Sequence, residues 1–194
     1  IKAELVSGPL SILILGIVFG SLVAALLPVG VGVGTVAAAI GMTVWLSNVT
    51  NVTVYATNII SLIGIGVSID YSLFLVNRFR EELERGHGIR TATAMSCATA
   101  GKAVFYSGIT VAIGLMGMLF FTNTSLPSLG IGGTIAVTIA MVYSTIVLPA
   151  VLAWLGPSVN KVKIPFALDM SARDDGTWAR IAKSVMDRPW TVLI

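Results

Sequence analysis

The chain has 194 residues, of which 56% are hydrophobic and only 11% charged, with a mean hydropathy of +0.94. A soluble domain carries about 25% charged residues, so this composition cannot cover a water-facing surface and indicates an integral membrane protein. The net charge of +3 does not indicate nucleic-acid binding, because the basic residues cluster beside apolar segments as a topology signal does.

A membrane span needs about 20 apolar residues, and five stretches qualify in chain order. Span A runs roughly 9–28 (PLSILILGIVFGSLVAALLP), span B roughly 29–46 and span C roughly 54–76. Span D covers roughly 103–121 and span E roughly 129–155, while residues 189–194 begin a sixth. The expected fold is an all-α, five-helix transmembrane bundle over 1–155, followed by a linker over 156–188.

Spans A and B adjoin without a loop, and the pairing of Pro28 with Gly30 predicts a tight hairpin there. Gly32, Gly34 and Ala37 in span B have the spacing of a dinucleotide fingerprint. With no preceding strand and no acidic residue about 20 positions on, they read instead as helix-packing positions. Asn48-Val-Thr50, Asn51-Val-Thr53 and Asn123-Thr-Ser125 have glycosylation spacing but read as polar loop caps beside the membrane.

Span C contains Asp70, the one Asp, Glu, Lys or Arg within the five spans. A charge at the centre of a spanning helix costs about 2.5–3.5 kcal/mol on insertion scales. Asp70 should therefore face other helices or a water-filled path, and a carboxyl that binds and releases a proton there suits a proton-driven machine. The neighbouring Tyr71 can donate its hydroxyl to a carboxylate or accept from a carboxylic acid. Ser61, Gly64 and Ser68 follow helical spacing, and Gly66 lies one turn before Asp70; these read as close-packing or hydrogen-bonding positions.

The loop Arg78–Lys102 holds five basic residues and the stretch 156–188 six, leaving only Lys2 elsewhere. The positive-inside rule makes both segments cytoplasmic, along with the A–B junction, and leaves Ile1–Ser7 outside. Within Phe79–Gly86 (FREELERG) the alternating charges predict a solvated collar with Glu81 and Arg85 paired at i,i+4. His87 has no second His or Cys nearby, so no metal site is expected. Cys97 is the sole cysteine, which excludes an intrachain disulfide; it reads as a small buried residue. Trp178, Ile181, Val185 and Met186 at helical spacing predict a cytoplasmic interfacial helix. Both ends of the sequence read as cut from a longer polypeptide.

GVSIDYSLFLVNRFREE, residues 66–82, resembles the Asp-Tyr helix of the MMPL transporters of the RND superfamily. Thr99–Phe121 resembles their next helix, Phe19–Ala37 their second and third, and SVMDRPWTVLI the entry to their seventh. The resemblance implies a twelve-helix exporter of two similar halves, of which this chain supplies helices two to six of the first. It also implies that facing Asp-Tyr pairs relay protons to drive export of lipids or other hydrophobic molecules across the inner (plasma) membrane. Asp70 and Tyr71 match that pair; the implied partners are the second half, protons, cargo and membrane lipid, with no cofactor. The alternative is a sterol-sensing five-helix domain of a lipid carrier or regulator. An intramembrane aspartyl protease needs two carboxylates sharing a water, and the spans hold one, so no enzyme is expected.

Overall fold

The computed structural model describes residues 16, 21–49, 53–121, 125–160, 183, 185 and 186. Four helices in it are long and apolar enough to cross a membrane: α1 (Leu22–Leu46), α2 (Val54–Glu84), α3 (Ile89–Phe120) and α4 (Leu126–Asn160). Spans B, C, D and E correspond to these four. The first part of span A and most of the interfacial helix lie outside the described residues, while the last residues of span A, from Leu22, belong to α1.

The helix α1 corrects the boundary between spans A and B. It runs unbroken through Pro28, which is buried inside it, and Gly30 has no positive φ. The helix begins after Ser21, which is extended at φ −141°, ψ 127°. Proline fixes a φ compatible with a helix, and its missing N–H costs one hydrogen bond; neighbouring helices make that tolerable in a membrane bundle. At the other end, Asn48 Nδ2 donates to Trp45 O at 2.9 Å and Ser47 Oγ to Val44 O at 2.7 Å. The polar loop residues thus satisfy carbonyls that the helix end leaves free.

Helices α2 and α3 are longer than spans C and D. The 31 residues of α2 rise about 46 Å, against a hydrocarbon core of about 30 Å, so the helix continues past the apolar segment. The expected charged loop over 77–102 is mostly helical as a result, and Arg85–Gly88 alone forms the turn. Gly86 makes that turn possible with φ +86°. Its N–H bonds Leu83 O at 3.0 Å and the His87 N–H bonds Glu82 O at 3.2 Å, the paired bonds of a Schellman motif.

Two helices carry a π-helical turn, Cys97–Gly101 in α3 and Tyr143–Val147 in α4. The second lies just before Pro149, whose ring and missing N–H disturb the preceding turn.

Small residues set the packing. A Cβ added at Gly132 of α4 would lie 3.1 Å from Ala56 Cβ of α2, and one at Gly64 would lie 3.2 Å from Val36 Cγ2 of α1. Gly34 of α1 carries the Tyr143 ring of α4, 2.9 Å from an added Cβ. Gly130 lets α4 approach Leu115 O of α3, where an added Cβ would come within 2.8 Å. Without a hydrophobic drive between helices in lipid, such close approach supplies the contact energy. Gly32 and Gly34 are therefore packing positions, as their sequence context indicates.

Phe79, Leu75, Val76, Leu148, Leu152 and Val159 form the larger buried cluster. At the same end Ser21 Oγ donates to Val159 O at 2.7 Å and Arg80 Nε to Asn160 Oδ1 at 2.6 Å. The start of α1, the end of α2 and the end of α4 thus meet at one end of the bundle, beside the basic turn.

Candidate functional site

Helix α2 presents three different faces to its surroundings, and the residues singled out in the sequence divide among them. Ser68 and Ser72 point into the bundle and are fully buried. Ser72 Oγ is 3.4 Å from Ser144 Oγ of α4, and Gly64 is buried on the same side. Ser61 is half-buried. Gly66, expected to pack closely, is exposed, and an added Cβ would meet nothing within 4 Å. It spaces no neighbouring helix among the described residues.

Asp70 lies on the outward face, opposite the buried serines. It is exposed, so none of the described helices covers it. Leu62 (74% exposed) and Phe74 (63% exposed) lie two turns before it and one turn after it. Asn58, Gly66 and Asn77 complete the exposed stripe. The stripe follows from spacing alone, since residues three to four apart share one side of a helix.

Tyr71 turns about 100° away from Asp70 and is half-buried between α2 and α3. Its hydroxyl is 3.4 Å from Ser107 Oγ of α3. That approach brings the residue beside Asp70 against the neighbouring helix. Ser107 stands among several hydroxyls that the sequence offers on spans B, D and E, and α3's docking selects it.

The collar at the end of α2 is more ordered than its charge pattern suggests. Glu82 is fully buried, not solvated. Arg78 Nη2 approaches its Oε1 at 2.6 Å and Arg85 Nη1 the same oxygen at 2.8 Å. His87 Nδ1 is 2.7 Å from Oε2. Glu81 pairs with both arginines at 2.7 and 2.5 Å. Gly86 was the available sequence signal, because a glycine just past a helix end folds the next residue back over the last turn. Among the described residues no group of three or more His, Cys, Asp or Glu could hold a metal.

Comparison with known proteins places these features. The chain is 39% identical over 194 residues to the mycolic acid-containing lipids exporter MmpL11 of Mycolicibacterium smegmatis, covering 99% of this chain and 20% of that protein. It is 36% identical over 191 residues to the heme uptake protein MmpL11 of Mycobacterium tuberculosis, covering 97% and 20%. It is 32% identical over 214 residues to the trehalose monomycolate exporter MmpL3 of M. tuberculosis, covering 97% and 23%. The chain therefore spans about a fifth of the length of these relatives. The MMPL family model matches residues 2–192, and the chain belongs to the MMPL family.

Proposed function

We propose that this chain is transmembrane machinery of a proton-driven exporter of lipids or other hydrophobic molecules, with Asp70 as the proton carrier and Tyr71 as its hydrogen-bonding partner. The observation that carries the reading is the placement of Asp70. A lone carboxyl faces outward from an apolar bundle, on a stripe with Leu62, Gly66 and Phe74. Lipid is a poor neighbour for that carboxyl, and intramembrane acids face protein or water. A second, similar half seated on this stripe would supply the cover, together with the opposing hydrogen-bonding groups and a water path.

In this reading Asp70 takes a proton from one side and passes it through the interface between halves. The Tyr71 hydroxyl, which lies 3.4 Å from Ser107 Oγ, has the chemistry to donate to a carboxylate or accept from a carboxylic acid. Cargo is selected elsewhere in the longer protein. Two relatives are named as exporters of mycolic lipids and one as a heme uptake protein, which supports a hydrophobic cargo. The basic segments 77–102 and 156–188 face the cytoplasm of a plasma-membrane protein.

Infrared difference spectroscopy across pH on the full-length transporter, with Asp70→Asn as the blank, tests the carrier role. The expected result is a carboxyl C=O band that rises and falls with pH and is absent from the blank. A spectrum identical to that of Asp70→Asn at every pH removes Asp70 from the proton path.

A further inference from the structure

Glu82 is the one acidic side chain among the described residues that is fully buried, and the proposed relay does not use it. A buried carboxylate needs partners, since taking a charge out of water is costly without them. Its partners come from α2 and from the turn that follows it. Arg78 of α2 and Arg85 at the start of the turn reach it at 2.6 and 2.8 Å. His87, further along the same turn, reaches it with Nδ1 2.7 Å from Oε2. The positive φ of Gly86 and the two backbone bonds of the Schellman turn carry the imidazole back to this position.

The two guanidinium groups keep their charge at any physiological pH. An imidazole ordinarily changes charge between about pH 5 and 8. The contact between His87 and Glu82 is therefore the variable member of the cluster. With the ring protonated it is a charge-assisted ion pair; with the ring neutral it is at most an ordinary hydrogen bond. Among the described residues, the other charged groups at this end do not compete for the imidazole. Glu81 is engaged by Arg78 and Arg85. Arg80 bonds Asn160 of α4 and feels Glu84. Arg90, in the first turn of α3, is exposed and makes no ion pair with Glu82.

We propose that His87 and Glu82 form a pH-sensitive latch that holds the turn closed over the charged end of α2, tight when that compartment is acidified and looser as its pH rises. The latch acts on α2, the helix that carries Asp70, but it stands whether or not Asp70 moves protons. The sign follows from the charges: a buried carboxylate attracts the imidazolium more strongly than the neutral ring, so protonation favours the closed turn.

Hydrogen exchange on the full-length transporter in lipid nanodiscs tests it, reading protection of the peptide covering 83–92 between pH 5.5 and 8 after correction for intrinsic exchange. His87 is partly exposed, so the pair is of the modest, partly screened kind. Wild-type protection should fall about two- to fivefold as pH rises. His87→Gln, which can hydrogen-bond but not titrate, should show no such fall. His87→Lys, cationic throughout, should stay protected at both ends of the range. A wild-type profile flat with pH, or a His87→Gln profile with the same slope as wild type, overturns the latch.

Discussion

At the scale of single residues, Asp70 and Glu82 make opposite use of a carboxyl on the same helix. Asp70 was recognisable from sequence because no other charge lies in the apolar spans. Its direction was not, because the docking of the other described helices decides which face of α2 stays open. Glu82 was hidden by the reverse problem. A mixed-charge stretch normally marks a solvated face, and only the turn at Gly86 folds His87 and Arg85 over it. Tyr71 supplies a graded test. Tyr71→Phe keeps the ring and removes the hydroxyl, so it should lower export about tenfold or more, the scale of one lost hydrogen bond to a charged group. Ser107→Ala, which removes only the 3.4 Å tether, should cost less. Export measured at equal expression checks both; a Ser107→Ala defect exceeding that of Tyr71→Phe would mean that Tyr71 is not the group that matters. Gly86→Ala introduces a Cβ at φ +86°. It should destabilise the turn by about 1–2 kcal/mol, seen as increased exchange of the amides of residues 86 and 87.

At the scale of elements, hydropathy located the spans but not the helix ends. Apolar length reports the hydrocarbon thickness, whereas α2 and α3 run on until a glycine turn stops them. Pro28 misled for a related reason. A Pro-x-Gly sequence signals a turn in water, yet here a buried helix absorbs the proline. The glycines of α4 were visible only as composition, and their partners emerge from docking. Gly130→Ala would set a Cβ 2.8 Å from the backbone oxygen of Leu115 and 3.0 Å from Met118 Cβ. Backbone cannot swing aside as a side chain can, so the cost should be about 1–3 kcal/mol, as for overpacked cores. Gly66→Ala, with open space around it, should cost little within this bundle. Thermal unfolding in detergent separates the two, and equal stability of the Gly130 and Gly66 variants would refute the close approach of α3 and α4.

At the scale of the whole molecule, the account requires that the α2 stripe be covered by protein and the basic end face the cytoplasm. A spin label at Gly66 in the full-length transporter should show low oxygen accessibility. One at Ile113, 63% exposed on α3, should show the high accessibility of a lipid-facing site. Equal accessibility at the two positions would leave Asp70 facing lipid. For orientation, single cysteines at Asn51 and Gly88 in a Cys97→Ser background should label oppositely with an impermeant thiol reagent in intact cells. Asn51 should react from outside and Gly88 only after the membrane is opened; the reverse pattern would invert the topology.

In the proposed function, Asp70 couples proton movement to export. The most direct measurement is proton flux and cargo export together, in liposomes holding the full-length transporter under an imposed pH gradient. With Asp70→Asn, inserted and folded as wild type, both proton flux and export should fall to the level of empty liposomes. Export and proton flux near wild-type values in Asp70→Asn would contradict the account.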